Sequence, residues 1–261
     1  ASFTQESYIA KNGYSFWPLS FSLDAYRYLL AKIDWFGRGY FITIVVTVVG
    51  VVLSILVTTM LGYMLSKRDF PFVKALDFYI VFTMLFNGGL VPTYIMYTNI
   101  FHIKNSLLAL ILPNLIFNGF YIILYKNNFA SNIHPALIEA AKLDGAGEFY
   151  IYRKIVMPLS LPILATIGLM VGIGYCNDWV NGLYYITYTR LYSLQVFLNN
   201  MMSNMRALVS MSSGMDVGIG DLPAISIRMA IAVIGTLPIL ILYPFFQKAF
   251  IAGIALGGVK E

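Results

Sequence analysis

Residues 41–65 read FITIVVTVVGVVLSILVTTMLGYML, a run of 25 residues without a single charge. The hydrocarbon core of a bilayer is about 30 Å thick, and a helix needs about 20 mostly apolar residues to cross it. The many β-branched residues of this run favour a strand in water, but a run of this length is too long for an ordinary strand. We therefore predict a membrane-spanning helix, and this prediction decides the fold class.

The composition of the whole chain agrees with a membrane protein. Hydrophobic residues make up 59% of the 261 residues, charged residues only 11%, and the mean hydropathy is +0.76, whereas a soluble domain is about 25% charged. This composition excludes a water-soluble enzyme and a disordered chain, which requires low hydrophobicity and high net charge. The net charge of +5 suits loops facing an anionic membrane, and its even spread does not indicate nucleic-acid binding.

Four further apolar stretches have the length of a span. We predict spans at residues 78–97, 107–125, 159–179 and 227–246. The first of these is interrupted by Asn87, Gly88, Gly89 and Pro92, which membrane helices tolerate where neighbouring groups satisfy the backbone. The predicted fold is therefore all-α and polytopic, with five transmembrane helices in this chain.

The positions of Lys and Arg predict the orientation. Lys67, Arg68 and Lys74 follow the first predicted span, whereas Lys104 alone lies in the next loop, so the former side is predicted to be cytoplasmic. Residues 1–40 are then predicted to lie outside the cell, but they contain no signal peptide. An earlier span is therefore required to export them. The predicted organisation is an extracytoplasmic lead at 1–40 after a missing first span, a transmembrane domain at 41–246 with a cytoplasmic loop at 126–158 and an outer loop at 180–225, and a cytoplasmic tail at 247–261.

The cytoplasmic loop contains the most structured sequence outside the spans. Residues 134–158 read HPALIEAAKLDGAGEFYIYRKIVMP. Pro135 suits the first position of a helix, where no amide hydrogen is needed, and Gly145 suits its C-terminal end. We predict a short helix between two spans that passes the movement of a soluble partner into the membrane.

This segment resembles the signature of the membrane subunits of bacterial ATP-binding-cassette importers, in the carbohydrate-uptake group similar to the smaller membrane subunit of the maltose transporter. That signature is Glu-Ala-Ala, three residues, Gly, nine residues, then Ile-x-Leu-Pro. This chain has Glu139, Ala140 and Ala141, then Gly145, then Ile155 and Pro158, with Met157 in place of Leu. The resemblance extends to FNGGLVPTY (86–94), NDWVNGL (177–183), LYSLQVFL (191–198) and the last 19 residues, which are typical of importers of oligosaccharides or polysaccharide fragments.

The resemblance implies a type I importer transmembrane domain of six spans, the first of which precedes residue 1. It implies that a coupling helix docks on a cytoplasmic ATPase, and that the C-terminal residues insert between the ATPase subunits. The coupling residues would be Glu139, Ala140, Ala141, Leu143, Asp144, Gly145, Ile155 and Pro158. The tail residues would be Gly257, Gly258, Val259 and Lys260.

The resemblance also implies the partners. These are a second homologous permease subunit, two ATPase subunits that bind ATP and Mg, an external sugar-binding protein (a lipoprotein in a Gram-positive cell), an oligosaccharide and the lipid of a bacterial plasma membrane. This chain would bind no cofactor or metal, and it would not be an enzyme.

Polar residues within the predicted spans are candidates for the translocation pathway, because polar groups at membrane depth usually face an interior cavity. The candidates are Asn87, Asn114, Asn118 and Asn177. Hydrogen bonding between helices, or a position at the membrane interface, is the competing explanation for each of them.

Two other functions are compatible with a polytopic helical protein. An ion-coupled secondary sugar transporter would carry acids in mid-span and inverted repeats, but the 12 Asp and Glu fall in loops or near span ends. A membrane-embedded glycosyltransferase would need clustered acids or a metal motif beside the membrane. Glu139, Asp144 and Glu148 are clustered, but their spacing to Ala140 and Gly145 fits the coupling segment better.

Overall fold

The computed structural model describes residues 2–5, 8, 9, 12, 13, 20–31, 33–67, 70–113, 116–212, 226–237, 240 and 244. Their regular structure is helical, and the β pairing among them is one isolated bridge between Thr4 and Phe21. The described residues form two compact units, one within residues 1–45 and 176–241 and the other containing residues 46–175. Each unit has its own packing.

The predicted first span is a helix over Ile33–Ser66, hereafter the long helix, with 34 residues. At 1.5 Å per residue it is about 51 Å long, which exceeds the hydrocarbon thickness of a bilayer, so the helix continues beyond the apolar run. Along one stripe, Ile44, Val48 and Val52 are each more than half exposed. A stripe of exposed apolar side chains at four-residue spacing is what a lipid-facing helix presents.

Several hydroxyl-bearing residues of the long helix are buried. Ser54, Thr58 and Thr59 are almost completely buried. The Thr58 hydroxyl donates to the carbonyl of Ser54 at 2.5 Å, and the Thr59 hydroxyl donates to the carbonyl of Ile55 at 2.5 Å. Small and hydroxyl-bearing residues let membrane helices pack closely while their polar groups remain satisfied.

The remaining helices include two bent pairs. Val73–Leu85 and Leu90–Ile100 meet at 113°, and Glu148–Leu159 and Leu161–Asn177 meet at 83°. Among the described residues, length and composition allow one span, or up to three if each bent pair is one span. The other α-helices are Asp24–Leu30, Leu108–Ile111, Gly119–Asn132, Pro135–Leu143, Val180–Tyr185, Leu194–Ser212 and Ser226–Leu237.

Comparison with the predicted spans shows where the backbone departs from straight helices. The predicted span at 78–97 is broken at Asn87–Gly89, as its sequence indicated, and Gly89 has a φ of +84° that suits glycine. The predicted span at 107–125 is not one helix, because Leu108–Ile111 ends before Pro113 and a second helix starts at Gly119. The final predicted span is described as helix up to Leu237, and most of its remainder lies outside the described residues.

The first unit is built around the helix Leu194–Ser212, hereafter the amphipathic helix. Its Leu194 and Leu198 pack with Leu29, Phe36 and Ile227 in one buried cluster. The sequence places apolar residues at three- and four-residue spacing along this helix, and the buried face follows that spacing.

The second unit depends on close helix contacts at glycines. A side-chain carbon on Gly50 would lie 2.3 Å from Cζ of Tyr175, and one on Gly62 would lie 2.7 Å from Cβ of Tyr125. The Tyr175 hydroxyl donates to the carbonyl of Ile111 at 2.8 Å, which holds the ring in place. The helix Val73–Leu85 packs against Gly119–Asn132, where Lys126 forms an ion pair with Asp77.

We predict that Gly50→Ala lowers the thermal stability of the protein in detergent, because the new methyl group occupies the space of the Tyr175 ring. Overpacking of this kind destabilises by about 1–3 kcal/mol. Gly37→Ala in the same helix is the control, since nothing lies within 4 Å of its added carbon, and alanine has the higher helix propensity. Equal melting temperatures for the two variants would contradict the packing described here.

Candidate coupling site

The short helix predicted between Pro135 and Gly145 is present as Pro135–Leu143, hereafter the lever helix. Pro135 occupies its first position, and Nδ1 of His134 accepts a hydrogen bond from the amide of Ala136 at 3.3 Å. The helix start therefore has a side-chain cap and a proline that needs no donor. The sequence prediction of this element is confirmed at its first turn.

The C-terminal end of the lever helix is a Schellman motif. Gly145 has a φ of +82°, and its amide donates to the carbonyl of Lys142 at 3.0 Å. The amide of Ala146 donates to the carbonyl of Ala141 at 2.9 Å. This pair of hydrogen bonds with a left-handed residue is the arrangement that favours glycine at the helix end.

The lever helix has no buried residue. Glu139, Ala140 and Asp144 are exposed, and Leu143 is 89% exposed, the largest fraction among the large hydrophobic side chains that the structure describes. The lever helix therefore presents an apolar side chain beside its acidic residues on an outer face that no described residue covers.

The carboxylate of Glu148 connects the lever helix to the long helix. Its Oε1 lies 3.2 Å from Nζ of Lys142, in the last turn of the lever helix, and its Oε2 forms an ion pair with Lys67, just after the long helix. The Tyr63 hydroxyl also donates to Oε2 at 3.1 Å. Three side chains from two elements therefore converge on one carboxylate.

The ionisation of Glu148 is set by these partners. Glu148 lies outside the predicted spans, and its pKa is lowered to about 2, first by the hydrogen bond from Lys67 and further by those from Lys142 and Tyr63, against the opposing effect of partial burial. The carboxylate is therefore charged at neutral pH. Its ion pairs are present above the ordinary carboxyl pKa and are lost only as the pH falls towards 2.

A cavity of about 440 Å³ lies beside this carboxylate. Its wall includes Met60, Tyr63, Phe149 and Tyr152. The Tyr152 hydroxyl is hydrogen-bonded to the Thr59 hydroxyl at 2.7 Å, and the Tyr63 and Tyr152 rings are 5.7 Å apart. The aromatic contact gives the segment after the lever helix a second attachment to the long helix.

The other predicted coupling residues lie farther along the chain. Ile155 lies in the π-helical turn Tyr152–Val156 and is half-buried, and Pro158 lies in the short helix Met157–Leu159 and is exposed. The structure does not bring them to the exposed face of the lever helix. They belong instead to the segment that joins the lever helix to Leu161–Asn177.

Sequence reasoning missed the residues that anchor the lever. Tyr63, Lys67, Lys142, Glu148 and Tyr152 were not among the candidates. Glu148 was noticed only as one of three nearby acids, and its partner Lys67 is 81 positions away. The sequence gives only a weak indication of this pairing. Glu148 directly follows the Gly-Ala-Gly stretch, Lys67 closely follows the first predicted span, and both are predicted to lie on the same side of the membrane.

Of the predicted pathway residues, Asn87 and Asn118 are described within the second unit and Asn177 within the first. Oδ1 of Asn87 accepts from the amide of Gly89 at 2.9 Å, and Oδ1 of Asn118 accepts from the amide of Phe120 at 3.0 Å, so both oxygens stabilise local turns. Asn177 is exposed at the end of its helix and lines a different cavity, in the first unit. Asn114 and the tail residues Gly257, Gly258, Val259 and Lys260 lie outside the described residues.

No group of three His, Cys, Asp or Glu side chains that could hold a metal ion occurs among the described residues. The one cysteine of the sequence, Cys176, is buried.

A family model and two curated proteins match most or all of this chain. A family model described as the binding-protein-dependent transport system inner membrane component matches residues 58–255. The polygalacturonan/rhamnogalacturonan transport system permease protein YtcP of Bacillus subtilis (strain 168) is 38% identical over 266 residues, which are 100% of this chain and 89% of that protein. Protein LplC of the same organism is 35% identical over 99% of this chain and 86% of its own length.

The backbone is also similar to a solved structure. The crystal structure of a bacterial ABC transporter involved in the import of the acidic polysaccharide alginate has a TM-score of 0.81 to this chain at 28% sequence identity. The match covers 95% of this chain and 87% of that one. The similarity therefore extends over nearly the whole fold.

We predict that Glu148→Gln loosens the lever helix, because the neutral amide keeps its shape but loses the charge that attracts Lys67 and Lys142. Ion pairs of this exposure contribute about 0.2–1 kcal/mol each, so loss of both should make the backbone amides of residues 136–146 exchange hydrogen about twofold to thirtyfold faster. Asp24→Asn, which removes another exposed carboxylate from an ion pair with Arg27, is the control and should leave these amides unchanged. Identical exchange in all three proteins would show that Glu148 does not anchor the lever.

Proposed function

The chain belongs to the family of binding-protein-dependent transport system inner membrane components, and from this membership we propose that it forms half of the translocation pathway of an ATP-driven oligosaccharide importer. As a permease subunit of an ATP-binding-cassette importer, it is a polytopic, all-α integral membrane protein with the type I importer fold. It is a transport component rather than an enzyme.

One observation carries the coupling role, namely an exposed lever helix that is anchored to the long helix. Leu143 projects from the lever helix, while Lys142, one position earlier, is paired with the carboxylate that also binds Lys67. A displacement applied at Leu143 therefore reaches the long helix through Glu148 without passing through a flexible linker. This is the connection that a coupling element requires.

The exposed face of the lever helix fits a protein partner of defined chemistry. We infer that the partner is a cytoplasmic ATPase with an apolar cleft for Leu143 and a donor for the Glu139 carboxylate. Ala140 and Ala141 present only methyl groups there, so a partner backbone can approach closely. Gly145 ends the helix.

ATP hydrolysis in that partner would drive transport through differential contacts. A partner that bound both conformations of the permease equally would shift nothing. Each nucleotide state of the ATPase must therefore favour one position of the lever helix, inward-facing or outward-facing. ATP and Mg belong to the ATPase, and this chain contributes the lever and half of the pathway.

The proposed substrate is an oligosaccharide or a polysaccharide fragment. The similar permease YtcP is named for polygalacturonan and rhamnogalacturonan, and the similar solved transporter is described as an importer of alginate. The complete transporter would contain a second homologous permease, two ATPase subunits and an external sugar-binding protein. It would lie in a bacterial plasma membrane, with residues 126–158 and 247–261 cytoplasmic and the lead 1–40 and loop 180–225 outside.

The pathway role of the asparagines remains part of this proposal. Asn87 and Asn118 lie at the two points where predicted spans are broken, and Asn177 lines a cavity. Broken helices in membrane transporters commonly line the substrate route. Asn114 and the tail residues Gly257 to Lys260 retain the roles that the family resemblance and the sequence pattern imply for them.

The test uses the assembled transporter in proteoliposomes with its binding protein. We predict that Glu139→Lys reverses the charge at the ATPase contact, and that Gly145→Pro removes the Schellman motif because proline cannot adopt a φ of +82°. Both variants should remain in the membrane but lose saccharide uptake, and the ATPase should no longer respond to the loaded binding protein.

The control is Leu161→Ala, which alters an exposed apolar side chain outside the lever helix and should leave uptake and ATPase stimulation close to the wild-type values. Normal uptake in both lever variants would contradict the coupling role.

A further inference from the structure

A second cavity lies entirely within the first unit and takes no part in coupling. Its volume is about 330 Å³, within the range of about 300–1,000 Å³ that small-molecule sites occupy. Asn177 and Trp179 form one side, Gln195 and Asn199 come from the amphipathic helix, and Thr236 comes from the helix Ser226–Leu237. Three side-chain amides, one indole and one hydroxyl thus share the lining of a single space with the apolar side chains of Leu198, Met202, Ile231 and Ala232.

These side chains match the chemistry of a sugar ring. Each amide offers hydrogen-bond donors and an acceptor, as sugar hydroxyls require, and the C–H face of a pyranose packs on an indole ring. The Trp179 side chain is available for such packing, since it is 42% exposed. Gln195 and Asn199 are four positions apart, which places them on the same face of their helix.

Hydrogen bonds hold the backbone turn beside the cavity and one of the side chains that line it. Oδ1 of Asp178 accepts from the amides of Val180 and Asn181 at 3.1 Å each, which fixes the turn that carries Trp179. Nε2 of Gln195 donates to the carbonyl of Gly235 at 3.3 Å, which ties the amphipathic helix to its neighbour. A preorganised site loses less entropy on binding than a mobile one.

The described residues that line the cavity carry no charge. A carboxylate brought into this space would lose hydration without meeting a cation, which is unfavourable. Although the similar alginate importer is described as carrying an acidic polysaccharide, the cavity here suits a ring that bears hydroxyl groups alone.

We propose that this cavity is a subsite for one uncharged sugar ring of the transported saccharide. The assignment rests on the proposed function and narrows it, because it names the ring chemistry and the residues that contact it. Trp179 packs on the face of the ring, and Asn177, Gln195 and Asn199 bind its hydroxyl groups.

The test compares saccharides and variants in the complete transporter, reconstituted in proteoliposomes with saturating binding protein. The probes are maltotriose and arabinotriose, which are uncharged, and trigalacturonate, which is acidic. Uptake and ATP hydrolysis are measured together for Trp179→Ala and Asn199→Ala. The control is Asn204→Ala, which changes the same residue type on the same helix but outside this cavity.

We expect both cavity variants to move about threefold to tenfold less neutral saccharide per ATP, the effect of one lost hydrogen bond or ring contact, while the ATPase still responds to the loaded binding protein. Asn204→Ala should match the wild type. The subsite would be overturned if both cavity variants moved as much saccharide per ATP as the wild type, or if they failed to assemble into the complex. It would also be overturned if the wild-type transporter accepted only trigalacturonate. A wild-type complex that moves none of the three saccharides and shows no ATPase response would instead overturn the proposed function.

Discussion

The ion pairing of Glu148 is the interaction on which the lever depends. The lever helix itself buries no side chain, so its position is fixed from its ends. At one end Ile133 is buried, and at the other end Glu148 binds Lys142 and Lys67, with the buried Ile151 three residues later. A helix held in this way can leave its whole outer face to a partner and still transmit the movement of that partner.

The long helix receives that movement, and its pattern of exposed and buried side chains suits a membrane. Apolar Ile44, Val48 and Val52 are exposed, whereas Ser54, Thr58 and Thr59 are buried although they carry hydroxyl groups, which is unlike the usual distribution in a soluble helix. Tyr63, near its C-terminal end, meets Glu148 and the Tyr152 ring, and Thr59, one turn earlier, meets the Tyr152 hydroxyl. Two side chains one turn apart near the C-terminal end of the long helix therefore carry the attachment of the lever.

The sequence predicted best those features that are local. Pro135 and Gly145 determine the ends of the lever helix through backbone geometry, and the charge-free run at 41–65 determines the span through its length alone. The Glu148 contacts could not be predicted, because they join residues 81 positions apart and arise only from tertiary packing. The break at Asn87–Gly89 was predictable from its glycines, whereas the split near Pro113 required knowing that Asn118 caps a separate helix.

Site-specific crosslinking is the most direct test of the proposed contact between Leu143 of the lever helix and an ATPase subunit. The one native cysteine, Cys176, is buried, so Leu143→Cys introduces an accessible thiol for a crosslinker in native membranes. We expect a crosslinked product with a co-purifying ATPase subunit, whose yield changes when ATP is added. We expect no such product from Phe78→Cys, a position that is 71% exposed in a predicted span. A lone chain, or equal products from both positions, would contradict the proposed contact.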